Sequence, residues 1–155
     1  MKKIVLIRHA EAANNNLDDS LRSLNNRGIE QLKEITVKDN PIPLEGKTSV
    51  LVSSAVRTQQ TFQAIKPFLN TDEIEIQSNL YLASKEILLL TIQDTLEKYD
   101  NLVIIAHNPG LSDLLSYLTF DEYHCETASI HLLEVNASSW EDIEAYQNFN
   151  VTRLH

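Results

Sequence analysis

The chain is poor in glycine and nearly free of cysteine, and each shortage removes a class of function. Only three glycines occur in 155 residues, Gly28, Gly46 and Gly110, and no two are spaced as in a GxGxxG or GxxxxGK[ST] loop. Folds that cradle nucleotide phosphates on glycine-rich backbone are therefore excluded. The single Cys125 can close no intrachain disulfide, and without a CxxC pair neither a structural zinc site nor a redox dithiol is expected. A reducing, cytoplasmic setting is the default expectation. Positive charge is scarce too: 13 Lys and Arg stand against 22 Asp and Glu, for a formal charge of −9. Such a surface repels extended polyanions, so no nucleic-acid partner is expected. Long apolar runs are missing. Ile4 to Ile7, Ile87 to Leu90 and Leu102 to Ala106 all fall far short of the roughly 20 residues a membrane helix needs. Lys2 and Lys3 precede a stretch that stops at Arg8, before the ~7 to 15 residue core of a secretory signal is complete. The length suits one domain over 1–155 with a core of its own.

What is present has a regular order. Lys3 to Ile7, Thr48 to Ser53 and Leu102 to Ala106 are short, continuous, β-branched apolar runs, the pattern of strands buried on both faces of a parallel sheet. Helices are expected between them. One begins near Arg27 with Ile29, Leu32, Ile35 and Thr36 on its stripe, closed by Pro41 and Pro43. A second covers Ala55 to Leu69, with Phe62, Ile65 and Leu69 inward and Pro67 distorting its last turn. A third starts at an N-cap Ser84, with Glu86 in its first turn and Ile87, Leu88, Ile92, Leu96 and Tyr99 inward. A fourth follows Asn108 and Pro109 as far as about Leu118. Asn14 to Asn26 is a polar loop, and Ile74 and Ile76 mark a short edge strand. Ser129 to Val135 and Phe149 to Leu154 read as strands joined by a polar turn around Ser138 to Asp142. Together these predict a three-layer α/β/α sandwich with a mainly parallel sheet, finished by antiparallel pairing near the C-terminus.

Ligand sites in such sheets lie beyond the carboxyl ends of the strands. Here those ends deliver Arg8 with His9, Ser53 with the nearby Arg57, and His107. Two histidines among arginines suit an oxyanion better than a metal, because the guanidinium charges oppose a cation and no carboxylate stands at a fixed short spacing. Arginine offers phosphate a bidentate fork and keeps its proton at all relevant pH values. Positive neighbours hold an imidazole neutral, which leaves one ring nitrogen free to attack phosphorus.

Three blocks, LIRHAEA from Leu6, LVSSAVRTQQT from Leu51 and VIIAHNPGLSDLL from Val103, resemble the histidine phosphatase superfamily with its phosphoglycerate-mutase-like fold. The short length, the AHNP turn and the segment DDSLRSLNNRG from Asp18 are most similar to its small SixA-type phosphohistidine phosphatases. The resemblance spans Ile4 to about Leu118. It implies that His9 is the nucleophile that becomes phosphorylated, that Arg8 and Arg57 bind phosphoryl oxygens, and that His107 completes the pocket. It further implies that Arg22 is a phosphate-contacting arginine, that Asp19 is an acid orienting water or protonating the leaving group, and that Asn15 is a phosphate-binding asparagine. No cofactor or metal is implied.

The chain departs from the family pattern twice. Ala10 stands where the signature triplet has glycine, and the proton-donating glutamate of larger relatives has no clear counterpart, Glu86 reading as an ordinary first-turn residue. A site short of acid favours a substrate whose leaving group departs easily, such as phosphohistidine on a protein. The alternatives are a phosphatase for small phosphate esters and a module that binds phosphohistidine or phosphate without turnover. His124, His131 and His155 join no cluster; His131 is expected on an edge strand, Cys125 as a quiet thiol, and Trp140 and the tyrosines as packing.

Overall fold

The computed structural model describes residues 1–15, 18–37, 42–145 and 147–155. Pro41, expected to close the first helix, lies outside the described residues. The chain runs β1 (Lys2–Arg8), α1 (Asn26–Val37), β2 (Thr48–Ser53), α2 (Val56–Ile65), β3 (Glu73–Gln77), α3 (Lys85–Gln93), β4 (Asn101–Ala106), α4 (Gly110–Thr119), β5 (Ile130–Val135) and β6 (Phe149–Arg153). The strands form one sheet in the order β3-β2-β4-β1-β5-β6. The first four are mutually parallel, while β5 runs antiparallel to β1 and β6 antiparallel to β5.

Side chains alternate across this sheet with a period of two, so the continuous apolar runs feed two cores. Ile4, Leu6, Leu102 and Ile104 pack with Leu88, Ile92, Leu111 and Leu115 of α3 and α4. Val5, Ile7, Val103 and Ile105 pack with Leu32, Phe62 and Ile65 of α1 and α2. The expected three-layer α/β/α arrangement is therefore present.

Several expectations move in detail. The second helix stops at Ile65 and tightens into a 3-10 turn at Lys66–Phe68, since Pro67 has no N–H to continue the ladder. α3 ends at Gln93, where Asp94 and Thr95, poor helix formers, follow; Leu96 is exposed and Tyr99 is buried outside the helix. Ile87 and Ile29 are also largely exposed. Ser84 occupies the N-cap position without a capping bond, its side chain serving the Glu86 carboxylate. His131 does not sit on an edge: β5 lies between β1 and β6, and the imidazole is buried.

Two of the three glycines are placed where backbone must come close. A Cβ at Gly28 of α1 would overlap the carbonyl of Glu11, and one at Gly110 of α4 would overlap that of Ala83. Both helices thus press directly against loops that rim the strand ends.

Candidate active site

β4 inserts between β2 and β1, with Arg8 in register with Ala106 and Val52 with Ile105. This topology brings the three strand ends into one row, so His9, His107 and Ser53 are neighbours although far apart in sequence. His9 is held by backbone on both sides: its N–H donates to the Ala106 carbonyl (3.3 Å) and its carbonyl accepts from Ala128 (3.1 Å). Ala10 follows without strain, since it is absent from the non-glycine residues with positive φ and its N–H donates to Thr61 Oγ1 (3.0 Å). The missing triplet glycine therefore leaves this backbone intact.

Arg57, in the first turn of α2, is 2% exposed and reaches the centre of the row. Its Nε donates to Nε2 of His9 (3.3 Å), and its Nη2 donates to Nδ1 of His107 (3.3 Å). A guanidinium only donates, so both of those ring nitrogens must be unprotonated. The remaining proton of His9 lies on Nδ1, which donates to the Ala10 carbonyl (2.7 Å). That of His107 lies on Nε2, facing Oγ of Ser53 (2.7 Å). The two rings stand 5.1 Å apart. Burial above all, with Arg57 and Arg8 adding to it, pushes His9 down to about 4. Burial first, then His9 and Arg57, pushes His107 down to about 3. Both imidazoles are neutral at physiological pH, and Nε2 of His9 directs its lone pair at Arg57 Nε, which lines the cleft with it.

The cleft, about 330 Å³, is lined by Arg8, His9, Asp19, Arg22, Arg57 and His107, together with Glu11, Leu82 and Thr127 among others. Arg8 donates Nη1 to the Cys125 carbonyl (2.9 Å), while its buried Nε has no partner among the described residues. Arg22 grips Asp19 Oδ1 through Nε (2.9 Å) and Nη2 (2.6 Å). Arg57 Nη2 donates to Asp19 Oδ2 (2.9 Å). All four residues expected at the centre are thus assembled, and Arg22 and Asp19 join them. Asn15 is exposed and is not among the residues lining the cleft. Glu86 is exposed on α3, also outside the cleft.

Two residues escaped the sequence reading. Tyr81, expected as packing, donates its hydroxyl to Asp19 Oδ2 (2.5 Å) and sets its ring edge-on to His107 at 5.6 Å. It is delivered by the segment between β3 and α3. Glu11 sits two positions after His9 and accepts from Asn25 Nδ2 (2.8 Å); its place inside the first block was the available signal. Asp19 itself is held far below the usual carboxylate range by the Tyr81 hydroxyl and by Arg22 and Arg57. Among the described residues no group of three His, Cys, Asp or Glu is placed to hold a metal ion, and no helix is long and apolar enough to cross a membrane.

No family model matches the sequence, and no curated protein does. Solved structures do. A candidate phosphohistidine phosphatase SixA from Nakamurella multipartitia superposes with a TM-score of 0.81 at 18% identity, covering 99% of this chain and 95% of that one. The protein histidine phosphatase SixA in complex with tungstate gives 0.72 at 22%, covering 96% and 94%. A candidate alpha-ribazole-5'-P phosphatase from Escherichia coli gives 0.70 at 13%, covering 98% and 96%. The chain therefore has the phosphoglycerate-mutase-like fold of the histidine phosphatases, along essentially its whole length.

Proposed function

We propose that this protein is a phosphatase that works through a phosphohistidine intermediate on His9, with phosphohistidine on a protein as its substrate. The observation that carries this reading is the unprotonated Nε2 of His9, buried among arginines and fixed by the Nδ1 bond to Ala10. The phosphoryl group passes to Nε2 as its bond to the substrate's imidazole nitrogen breaks, and that nitrogen takes up a proton. Water then attacks phosphorus, the Nε2–P bond breaks, phosphate leaves, and one proton returns to solvent. Arg8 and Arg57 bind the phosphoryl oxygens and the charge that builds on them, with Arg22 at the rim and His107 completing the wall. No metal takes part. Fold likeness to phosphatases of phosphohistidine and of small phosphates is consistent with this reading.

Two features favour a protein substrate over a small ester. Before substrate enters, the Asp19 carboxylate is held as an anion by Tyr81, Arg22 and Arg57, an arrangement better suited to a leaving group that departs easily than to a poor one. Arg8 and Thr127 also line a second, polar groove beside the cleft, with Arg27, Gln31, Glu126 and Arg153, surface for more than a phosphoryl group. Turnover of a phosphohistidine peptide should exceed that of p-nitrophenyl phosphate and of sugar phosphates, and should survive EDTA. A preference for sugar phosphates would overturn the substrate assignment, and loss of activity in EDTA restored by a divalent ion would overturn the metal-free mechanism.

A further inference from the structure

The fork of Arg57 that faces His9 is already engaged by the protein itself. Its Nε lies on Nε2 of His9 and its Nη2 on Asp19 Oδ2 and His107 Nδ1, while Nη1 donates to the Asp19 carbonyl (2.6 Å). A phosphoryl group bound at His9 needs the Nε and Nη2 donors of that same edge. Asp19 Oδ2, 2.9 Å from Nη2, therefore stands where a phosphoryl oxygen would be held, and Oδ1 takes two donors of Arg22. An aspartate placed so is an internal anion competing with the ligand.

What seats it there is Tyr81. The hydroxyl meets Oδ2 at 2.5 Å, the length of a charge-assisted bond. The face of the same ring lies 6.0 Å from the Arg57 guanidinium, and its edge meets His107. The backbone that presents Tyr81 is itself unusual. After the 3-10 turn Ser78–Leu80, the chain turns through Leu82 at φ 48°, a left-handed conformation unfavourable for leucine, and strain of this kind is retained where the surrounding structure enforces it. Leu82 also lines the cleft.

Resting on the proposed phosphoryl site, we infer that Tyr81 is a positioning residue that seats the Asp19 carboxylate on Arg57 as a stand-in for phosphate, which the incoming phosphoryl group must displace. The arginines keep an anionic partner between turnovers, and released phosphate meets a competitor that favours its departure. The consequence has a sign opposite to that of a scaffold. If Tyr81 and Asp19 merely propped up Arg57, removing their contacts would loosen the arginine and weaken anion binding. As a competitor, their loss strengthens it.

The test is titration calorimetry of the whole protein with sodium tungstate, a phosphate mimic whose binding needs no turnover, with Tyr81→Phe and Asp19→Asn beside the wild type. The phenylalanine keeps the ring and the asparagine keeps the shape. The expected result is wild-type binding, tightened about threefold or more in Tyr81→Phe and about tenfold or more in Asp19→Asn, with phosphate becoming a stronger product inhibitor in both. Unchanged or weaker tungstate binding in either variant overturns the inference and leaves the phosphoryl site standing. A wild type that binds no tungstate overturns the phosphoryl site and the inference together.

Discussion

Acidification is the perturbation that reports most directly on the buried imidazoles. His9 falls from 6.5 to about 4 on folding, and the ring is nearly inaccessible, so the shift acts on stability with little screening. In the unfolded chain His9 takes a proton near pH 6.5, while the folded chain refuses it until about pH 4. Stability is therefore full above about pH 7 and is lost as the pH falls through that window. With 1.36 kcal/mol per pKa unit, His9 alone removes about 2 kcal/mol by pH 5 and approaches ~3 kcal/mol near pH 4. His107 and the buried His131 shift in the same direction, so the His9 value is a floor for the whole protein. Against a typical total of about 5 to 15 kcal/mol this is a large fraction. The lowered carboxylates, Asp19, Glu86, Glu97, Glu126 and Asp142, act mainly below pH 5, where the unfolded chain begins to protonate them, so the window from 7 to 5 isolates the histidines. Urea denaturation at pH 7.5, 6, 5.5 and 5 measures the fall, and imidazole NMR shifts follow each ring. Stability unchanged between pH 7.5 and 5, or a His9 ring that titrates near 6.5, would refute the reasoning.

Other substitutions read different parts of the site. Arg57→Lys keeps a positive charge and loses the fork that bridges His9, Asp19 and His107, so kcat/KM should drop about 10²-fold or more on a phosphohistidine peptide; activity within threefold of wild type would contradict that role. Ser53→Ala strands the buried Nε2–H of His107, and chemical denaturation should show a loss of about 1 to 3 kcal/mol together with lower turnover. Gly110→Ala drives a methyl group into the Ala83 carbonyl, and the expected outcome is a melting temperature several degrees lower, whereas a neutral substitution would show that the loop carrying Tyr81 and Leu82 yields easily.

What could be read from the sequence follows from which features are local. The strands β1, β2 and β4 are legible because burial on both faces demands unbroken apolar runs, and the residues of the candidate site are legible because those runs stop abruptly at Arg8, Ser53 and Ala106. Strand order is a different kind of information. Nothing in the residues 130–135 distinguishes an interior strand from an edge, so the burial of His131 between β1 and β6 emerges only from the pairing. Tyr81 was illegible for a related reason: its segment has no periodic pattern, and its direction depends on the left-handed turn at Leu82, which no leucine advertises. The placement of Asp19 rests on contacts to Arg57 and Tyr81 across 38 and 62 residues, whereas its spacing from Arg22 shows only an i, i+3 pair of opposite charge.

In the proposed mechanism phosphorus becomes bonded to Nε2 of His9. Rapid quenching of the enzyme with a ³²P-labelled phosphohistidine peptide, followed by separation of the protein under alkaline conditions, measures this bond. An acid-labile label that maps to His9 during turnover and is absent from His9→Ala is the predicted result. Sustained release of phosphate with no label on the protein at any quench time, or a label on a different residue, would contradict it.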